Sequence, residues 1–398
     1  YEELKRVILN QQGDLEFDLG IPRDQNLKIQ PKFTTIISGI RRGGKSTLAR
    51  QILKDKENVL YTWFEDINLA SFQFEDFIRL DRVFSEEFGP GGTYFFDEIQ
   101  NIEGWERYVR QLVDKGSEVL ITGSNAKMLS RELGTKLTGR QLTKELYPFS
   151  YREFLRLRGV DHSIELFREF LKEGGFPEYL KTGNKEILRN LFQDIVYRDI
   201  LQRNDLRNET AIRNLLQYLL ANIGKQTSYN RLKSLINVGS VNSITQFIDY
   251  FEQAYLLFPI KKFDYSVKKQ LMNPKKVYCV DNGIIGQNAF SFSENRGRLL
   301  ENIVFIELKR REFEIFYHSD RQECDFVIKK GNRIVEAIQV CYEITIDNRQ
   351  REINGLLEAL VNYDLKEGLF LTFDQEDAFT LSDRSIKMLP VWKWLLND

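Results

Sequence analysis

Short apolar runs alternate with longer amphipathic segments from Phe33 onward. The runs TTIISG, NVLYTWF, TYFFDE and EVLITGS alternate with segments of helical period, namely STLARQILKD, a stretch from Phe74 to Phe88 and another around Trp105 to Val113. Continuous apolar strands separated by amphipathic helices predict a parallel β-sheet covered by helices on both faces. With QLTKEL as the last strand, the pattern predicts an α/β core that ends near residue 147.

The pattern changes after Pro148. SYREFLRLR, IELFREFLKE and KEILRNLFQDIVYRDIL carry apolar residues at helical spacing, and the Gly-Gly-Phe-Pro run at 174–177 breaks the helices once. Between Ala211 and Asp281, three helical stretches precede two β-rich runs, YLLFPIKKF and KKVYCVD, an order that is typical of a winged helix-turn-helix. From Leu299, a helix, three strands, a second helix and the strand GLFLTF predict a small α/β domain.

The composition is that of a globular protein with more than one core. A chain of 398 residues, of which 42% are hydrophobic and 29% charged, is too long for one ordinary core and indicates about three domains. The 57 Lys and Arg residues nearly balance the 58 Asp and Glu residues, so a net charge of -1 gives no global attraction to nucleic acid or to an acidic membrane. No apolar run approaches the roughly 20 residues that span a bilayer, and the start of the chain lacks a basic-then-apolar signal segment.

Cysteine and histidine usage narrows the chemistry further. The three cysteines, Cys279, Cys324 and Cys341, have no C-x-x-C spacing, which argues against a disulfide framework or a structural zinc site and favours a cytoplasmic location. Because His162 and His318 are the only histidines, the sequence also argues against histidine triads and histidine-rich metal sites. Chemistry is therefore expected from carboxylates, lysine, arginine and Mg²⁺.

One run matches the phosphate-binding pattern G-x-x-x-x-G-K-[ST]. It lies directly after an apolar strand and before a helix. Glycines let backbone N–H groups turn toward phosphates, Lys45 neutralises β/γ oxygens and Ser46 holds Mg²⁺. A glycine-rich turn without a ligand is the alternative, which the complete motif in this position disfavours. We expect ATP or ADP, with Mg²⁺, to bind at Gly39, Ile40, Arg41, Arg42, Gly43, Gly44, Lys45, Ser46 and Thr47.

Two adjacent acids end the strand TYFFDE. Asp97 is expected to bind the Mg²⁺ shell, and Glu98 to orient or deprotonate the attacking water. A solvated pair at a strand end is the alternative, which the position downstream of the phosphate motif disfavours. EVLITGSN is expected to lie beside the phosphate-binding strand, and either Ser124 or Asn125 to act there as a polar sensor near the γ-phosphate. Which of the two points inward is left open.

Several motifs occur along the chain in one order: SGIRRGGKSTL, FFDEIQNIEGWE, ITGSNAKML, LTGRQLTKELYPFSYREFL, GGFPEYL, VYRDIL and ECDFV. In this order the chain resembles the AAA+-related family of predicted archaeal and bacterial P-loop ATPases whose C-terminal part has the restriction-endonuclease fold. The resemblance covers almost the whole chain. It implies an α/β, AAA+-like P-loop ATPase core at 1–147, a helical lid at 148–210, a winged helix at 211–290 and a degenerate nuclease-like domain at 291–398.

The resemblance also implies a role for one arginine. Arg140, in the run TGR, matches the position that serves as an arginine finger or sensor arginine, and Arg131 competes for the same role. An arginine paired with a surface acid is the alternative. Whether Arg140 acts within its own chain or across a homo-oligomer is left open.

The C-terminal motif is incomplete. A nuclease of the PD-(D/E)xK kind needs an acid on one strand and, on the next strand, an acid and a lysine two residues apart beside a metal ion. Asp325 matches the first acid and Glu301 lies on the leading helix, but the next strand offers Gln339 and Cys341. Glu336 points to the opposite face by strand alternation. We expect a fold that has lost cleavage and can retain binding, with an active nuclease carrying Glu301 and Asp325 as the alternative.

The signals for nucleic-acid binding are mixed. The candidate recognition helix at 240–254 carries no Arg or Lys, which is poor equipment for phosphate contacts. Basic clusters occur at 261–262, 268–269, 275–276 and 309–311. The first three fall on or beside the candidate wing and could follow a sugar-phosphate backbone without reading bases. The alternative for each cluster is a solvated face.

The leading hypothesis is a cytoplasmic ATPase that couples ATP hydrolysis to domain motion on DNA or a DNA-processing complex. One alternative is a nucleotide-dependent switch that recruits a protein partner. Another is a nuclease gated by ATP. No membrane association is expected.

Overall fold

The computed structural model describes residues 1–13, 15, 19–25, 27–126, 139–289 and 296–397. This part of the chain divides into two compact units. Unit 1 comprises Tyr1–Leu146 with Gln253–Tyr255, and unit 2 comprises Tyr147–Glu252 with Leu256–Asp398. No helix in the described ranges combines the length and the apolar character that crossing a bilayer requires.

Unit 1 is built on a five-stranded parallel sheet. The strand order is β2-β3-β4-β1-β5, so β4 lies between β1 and β3, beside the phosphate-binding strand as predicted. Because all five strands are parallel, their carboxyl ends meet at one edge. The elements are β1 (Thr34–Gly39), β2 (Val59–Trp63), β3 (Thr93–Asp97), β4 (Glu118–Gly123) and β5 (Gln141–Leu146), with helices α1 (Glu2–Gly13), α2 (Lys45–Leu53), α3 (Asp76–Phe88) and α4 (Trp105–Asp114) and short 3₁₀ helices at Ile67–Leu69 and Ile99–Asn101.

Both faces of this sheet are buried. Ile36 and Phe96 belong to a large aromatic core that also contains Trp105, whereas Ile37 and Phe95 belong to a separate core on the other face. Neighbouring residues fall into different cores because successive strand side chains point to opposite faces. The prediction of an α/β core with a parallel sheet covered on both sides is therefore confirmed.

A distant residue packs against the phosphate-binding strand. Tyr255 is 2% exposed, and its hydroxyl lies 2.6 Å from Oγ of Ser38 on β1. It adopts a left-handed backbone conformation with φ of 57°. Residues 253–255 thereby join unit 1, although they are far from it in sequence.

The first part of unit 2 is helical and ends in a two-stranded antiparallel ribbon of β6 and β7. The last three helices before this ribbon, at Glu209–Ala221, Tyr229–Ile236 and Val241–Gln253, follow the order that the sequence predicts. The elements are α5 (Tyr151–Arg158), α6 (Ile164–Glu173), α7 (Pro177–Thr182), α8 (Lys185–Asp194), a π-helical segment (Ile195–Gln202), α9 (Glu209–Ala221), α10 (Tyr229–Ile236), α11 (Val241–Gln253), β6 (Leu257–Lys261), α12 (Val267–Met272), β7 (Lys275–Cys279) and α13 (Asn282–Asn288).

The glycine pair at 174–175 has a packing role. The backbone N–H of Gly175 donates to Oδ2 of buried Asp281 at 2.6 Å, and Oδ1 of Asp281 accepts from Gly283 at the start of α13. A Cβ at Gly174, where φ is 75°, would lie 2.1 Å from Oδ1 of Asp281. The close approach of backbone and carboxylate requires glycine there.

The second part of unit 2 is a six-stranded mixed sheet in the order β12-β13-β11-β10-β9-β8. The helix at Ile346–Asn362 packs on this sheet. The core between them contains Cys324, Val327, Leu356 and Phe370. The elements are α14 (Arg296–Arg310), β8 (Glu314–Ser319), β9 (Glu323–Lys330), β10 (Arg333–Val340), α15 (Ile346–Asn362), β11 (Glu367–Thr372), β12 (Asp377–Leu381), β13 (Arg384–Pro390) and α16 (Val391–Leu396). The helices and strands predicted from Leu299 to β11 are present, and β12, β13 and α16 follow them.

Candidate nucleotide-binding site

The turn between β1 and α2 is compact and depends on its glycines. Gly43 donates its N–H to the carbonyl of Ile40 at 3.1 Å, and Arg42 and Gly44 have left-handed backbones with φ of 57° and 97°. A Cβ at Gly39 would lie 2.1 Å from the carbonyl oxygen of Leu146 on β5. The turn leads directly into α2, whose first backbone N–H groups have no carbonyl partner within the helix. Such a helix N-terminus favours an anionic ligand.

Lys45 is the first residue of α2 and is buried. Its side chain is 4% exposed, and Nζ donates to the carbonyl of Ile40 at 3.2 Å. The same ammonium lies 3.2 Å from Oε1 of Glu98. A lysine and a carboxylate that the sequence separates widely are therefore paired at the carboxyl edge of the sheet.

Glu98 follows β3 and is held by several donors. Its backbone is left-handed, with φ of 57°, and its Oε2 accepts from Gln100 Nε2 at 2.5 Å and from the backbone N–H of Ser124 at 3.1 Å. Burial raises the pKa of Glu98, but the charge of Lys45, the hydrogen bond from Gln100 and the charge of Arg41 outweigh burial and lower it to about 2. Glu98 is thus an ionised, oriented carboxylate.

Asp97 lies beside Glu98 at the end of β3. Its carboxylate accepts hydrogen bonds from the hydroxyl groups of Thr122 and Ser46. Burial and the neighbouring charge of Glu98 raise the pKa of Asp97. A hydroxyl and a carboxylate oxygen form the kind of donor set that Mg²⁺ accepts. The residues predicted to hold Mg²⁺ are therefore in contact, and they fit the ion.

The end of β4 supplies the remaining predicted polar residues. Ser124 and Asn125 are 1% and 3% exposed. Oγ of Ser124 has no hydrogen-bond partner among the described residues, whereas its backbone N–H donates to Glu98. A buried hydroxyl without a described partner beside the Glu98 carboxylate fits a site that takes up a further polar group.

The structure brings an additional segment to the P-loop that the motif did not reveal. Nε2 of Gln51 on α2 donates to the carbonyls of Leu19 and Ile21, at 2.6 and 2.8 Å, and its Oε1 accepts from the N–H of Arg23. The Arg23 guanidinium donates to the carbonyl of Gly43 at 3.0 Å. The glutamine in α2 and the arginine before β1 match no motif of consecutive residues, so only their contacts identify them.

Arg140 does not lie at the phosphate site of its own chain. It precedes β5, and its carbonyl accepts from the N–H of Thr34, at the amino end of β1. Gly39 follows Thr34 by five strand residues, so the two ends are roughly 16 Å apart. Its guanidinium donates to Asp114 at 2.9 Å, and both side chains are about half exposed. Arg140 thus lies at the opposite end of β1 from the P-loop of its own chain, and Arg131 lies outside the described residues.

The predicted nuclease residues lie together in unit 2. Glu301, Asp325, Gln339 and Cys341 line an open cleft of about 820 Å³, whereas Glu336 is not among its lining residues. Gln339 lies beside Asp325, because its Oε1 accepts from the backbone N–H of Asp325 at 3.2 Å. The prediction that alternation turns Glu336 away from the cleft agrees with this placement.

Most of the predicted basic clusters face the protein. Lys275 and Lys276 are 6% and 1% exposed. Arg310 donates to the carbonyl of Pro148, and Arg311 to the carbonyls of Trp394 and Asn397. Lys275 and Lys276 are therefore buried too deeply to contact a sugar-phosphate backbone. The exposed lysines of these clusters are Lys261, Lys268 and Lys269.

The chain is similar to known proteins over most of its length. A family model described as an AAA domain matches residues 32–155, and one described as Domain of unknown function (DUF8612) matches residues 164–294. The Uncharacterized protein MJ1544 of Methanocaldococcus jannaschii is 35% identical over 95% of this chain and 91% of its own length. An Uncharacterized protein of Haemophilus influenzae is 32% identical over 83% of this chain and 87% of its own.

A solved structure of Drosophila ORC bound to AT-rich DNA and Cdc6 has 12% identity and a TM-score of 0.20, and the match covers 72% of this chain and 90% of that chain. Similarity at that level carries no argument about fold or function. The AAA domain is a nucleotide-binding domain, and it covers the P-loop, Asp97 and Glu98. The chain therefore belongs to the same family as MJ1544 of Methanocaldococcus jannaschii.

Proposed function

We propose that the chain is a Mg²⁺-dependent ATPase whose active site is the carboxyl edge of the unit 1 sheet. ATP would bind at residues 39–47, and ADP would be the product that remains there. The observation that carries the proposal is the convergence of α2 and the end of β3, where Lys45 pairs with Glu98 and Ser46 hydrogen-bonds Asp97.

Each residue has a distinct role in this proposal. Lys45 binds β/γ oxygens of ATP, and the N-terminus of α2 favours the negative charge of the phosphates. Ser46 and Asp97 hold Mg²⁺, which neutralises charge on the phosphate oxygens when bound. Glu98 orients the attacking water and accepts its proton.

The contact of Lys45 with Glu98 describes a resting arrangement. With the lysine 3.2 Å away, Glu98 is an ionised but weak base, because the pKa of Glu98 is lowered to about 2. A phosphate that draws the Lys45 ammonium toward itself removes the strongest influence that lowers this pKa. Glu98 then becomes a stronger base only when substrate is bound.

The sensor residues extend the site toward the γ-phosphate. Ser124 supplies a buried hydroxyl without a partner among the described residues, and Asn125 is buried next to it. We assign them to the binding of substrate or water beside Glu98. Arg140 would contribute only to the phosphate site of a neighbouring copy in a homo-oligomer.

Unit 2 would transmit the conformational change. We propose that 148–210 is a helical lid, that 211–290 is a winged helix and that 291–398 is a degenerate nuclease-like domain. The order of α9, α10, α11 and the β6–β7 ribbon supports the second assignment, and the order of α14, β8, β9, β10, α15 and β11 supports the third. The macromolecule on which this change acts would be DNA or a DNA-processing complex. Exposed Lys261, Lys268 and Lys269 can contact the phosphates of the DNA.

A nucleotide-dependent switch that recruits a protein partner is the second candidate function. The observation that favours it is the burial of the basic residues at 275–276 and the engagement of Arg310 and Arg311 with backbone carbonyls, which directs these four side chains toward the protein itself. A switch would hydrolyse ATP slowly and retain ADP.

Steady-state ATP hydrolysis by the wild type and Glu98→Gln tests the proposal. Glu98→Gln should retain ATP binding and lose about 10²- to 10⁴-fold in turnover, because the general base is gone. Glu103→Gln is the matched control, since it makes the same chemical change at an exposed position five residues along the chain. Unchanged turnover in Glu98→Gln would refute the assignment of the base.

The same assay distinguishes a DNA-directed ATPase from a switch that recruits a protein partner. The wild type is measured with single-stranded, duplex and branched DNA. Stimulation by DNA, lost in a Lys261/Lys268/Lys269→Ala variant, would support DNA as the load. Turnover that is indifferent to every DNA, with ADP that copurifies, would support the protein-directed switch.

A further inference from the structure

Lys276 of the β6–β7 ribbon is a buried lysine that the ATPase site does not use. Its side chain is 1% exposed. A lysine is almost never fully buried unless its charge is paired. The preceding residue, Lys275, is also buried, but its Nζ donates to the backbone carbonyls of Gln270 and Leu271. Adjacent lysines on one strand therefore have partners of different chemical kinds.

The partners of Lys276 are the acids of the nuclease-like cleft. Nζ lies 2.9 Å from Oδ1 of Asp325 on β9, 3.2 Å from Oε1 of Glu301 on α14 and 2.6 Å from Oε1 of Glu323. Asp325 and Glu301 are the two residues that the sequence matched to metal ligands. A single ammonium thus bridges carboxylates from a helix and a strand.

We infer that this acidic cleft is a cation site whose permanent occupant is the Lys276 ammonium, and that it takes up no divalent metal ion. The inference concerns unit 2 and does not depend on ATP hydrolysis in unit 1.

Geometry supports an internal cation. Mg²⁺ binds oxygen at about 2.0–2.1 Å and needs carboxylate lone pairs that point at it. Oδ1 of Asp325 and Oε1 of Glu301 already point at Nζ, and the other oxygen of Asp325 accepts from the N–H of Val340 at 3.0 Å. A divalent ion held by the same oxygens would lie next to the ammonium. Two like charges at that separation repel strongly in a buried site.

The electrostatic environment stabilises the ammonium. Burial lowers the pKa of Lys276, but the charges of Asp325 and Glu301 outweigh burial and hold it well above its ordinary value. The hydroxyl of Tyr278 donates to Oε1 of Glu301 at 2.6 Å. The Lys276 ammonium and the Glu301 carboxylate are therefore both paired with protein groups.

The positions that would complete a metal site are also engaged. Oε1 of Gln339, the oxygen that could ligate a metal, accepts from the N–H of Asp325, and its Nε2 donates to Glu352 at 2.7 Å. Sγ of Cys341 contacts the carbonyl of Glu343 at 3.2 Å. Neither position to which the nuclease motif assigns the second acid and the lysine therefore offers a free ligand atom among the described residues.

The consequence is that the acid site fastens the ribbon to the mixed sheet. Lys276 lies on β7, whereas Glu301 and Asp325 lie on α14 and β9, so their contacts join three elements. The same carboxylates that hold a metal ion in a nuclease here hold a strand in place. Phosphodiester cleavage that depends on a metal in this cleft is excluded by the inference.

Binding of Mn²⁺ to the full-length, nucleotide-free protein tests the inference, with the free ion followed by electron paramagnetic resonance. The wild type and Asp325→Asn should bind the same amount of Mn²⁺, because the cleft of the wild type holds none. Lys276→Met retains the length of the side chain and removes its charge, so it should gain one Mn²⁺ per chain, which the double variant Lys276→Met/Asp325→Asn should lose. Lys275→Met is the matched control and should behave as the wild type does.

Other outcomes overturn the inference. A folded Lys276→Met that gains no Mn²⁺ would show that the carboxylates do not form a cation site. Mn²⁺ bound by the wild type and lost in Asp325→Asn would show that the ammonium does not exclude a metal, and this comparison holds even where Lys276→Met fails to fold. Metal-dependent nicking of plasmid DNA by the wild type, lost in both Asp325→Asn and Lys276→Met, would identify Lys276 as a catalytic lysine.

Discussion

Lys45 and Glu98 are each buried, and each is stabilised by the charge of the other. Their side chains are 4% and 11% exposed and approach to 3.2 Å. A buried charge without a partner would be strongly destabilising, so the pair is maintained until another charge replaces one member. ATP is such a replacement for Glu98, because its phosphates are anionic. At the residue scale, Glu98 and the phosphates of ATP would therefore compete for the Lys45 ammonium.

Arg23 extends this site beyond the motif. Its guanidinium donates to the carbonyl of Gly43 at 3.0 Å, within the turn that leads into α2. A hydrogen bond from a charged donor is worth about 1.5–3 kcal/mol. We expect Arg23→Ala to raise the KM for ATP by about 10- to 100-fold with little change in kcat, because the turn loses support while Glu98 remains in place.

Steady-state kinetics at varied ATP concentration measure this effect. Arg6→Ala, which removes an exposed arginine from α1, is the control and should leave both constants unchanged. A fall in kcat at constant KM would instead indicate that Arg23 acts on the transition state.

At the element scale, the C-terminal helix α16 docks through an aromatic contact. The rings of His162 and Trp392 stack with centroids 3.8 Å apart, and the hydroxyl of Tyr151 lies 2.6 Å from Nδ1 of His162. Burial lowers the pKa of His162, although the charge of Glu165 partly offsets burial. The neutral imidazole is therefore the form that the packed helix favours.

This contact predicts a pH dependence of stability. Because the pKa of His162 is lower in the folded chain than its ordinary value of 6.5, the unfolded chain binds the proton more tightly. The stabilisation is complete above pH 6.5 and is lost as the pH falls below it. His162→Phe keeps the stack and removes the titration, so it should lose less free energy of unfolding than the wild type between about pH 7 and about pH 5.

Urea unfolding at several pH values measures the free energy of unfolding of the wild type and of His162→Phe. The contributions of titratable groups that both proteins contain cancel in the difference. Tryptophan fluorescence of the folded protein should also change with pH in the wild type, because protonation of His162 places a positive charge against the Trp392 indole. Trp392→Phe assigns that signal. Superimposable pH profiles for the wild type and His162→Phe would contradict the prediction.

Elements with a clear period could be predicted from the sequence, whereas elements set by tertiary contact could not. The strands β1, β3 and β4 are apolar runs, and the phosphate motif between β1 and α2 consists of consecutive residues. Strand β12 has no buried residue and therefore no apolar alternation to detect. Lys276 looked like half of an exposed basic pair, because nothing local indicates that acids on α14 and β9 surround it.

At the scale of the whole molecule, the sequence predicted a parallel α/β core and several further segments, and the structure divides the described chain into two compact units. The contribution of Gln253–Tyr255 to unit 1 could not be predicted, because the hydroxyl of Tyr255 reaches Ser38 from a distant part of the chain. The assignments of a lid, a winged helix and a nuclease-like domain stay predictions. Their element order agrees with the structure, but order alone does not define a fold family.

The position of Arg140 has a consequence for the assembled protein. Arg140 lies at the amino end of β5 and pairs with Asp114, and an exposed pair of this kind contributes about 0–1 kcal/mol. The guanidinium is thus available to a neighbouring copy but remote from its own P-loop. We expect Arg140→Ala to hydrolyse ATP as fast as the wild type when both are diluted to monomers. A loss of turnover should occur only in an assembly.

Subunit mixing distinguishes the two sources of the arginine. Lys45→Ala cannot bind the phosphates properly but keeps Arg140, so adding it to assembled Arg140→Ala should restore turnover if the arginine acts across an interface. Asp114→Ala is the control, because it breaks the same ion pair and leaves the guanidinium in place. Turnover that Arg140→Ala loses in the monomer would contradict the placement, since an arginine at the amino edge of the sheet cannot reach a γ-phosphate bound at the carboxyl edge of the same chain.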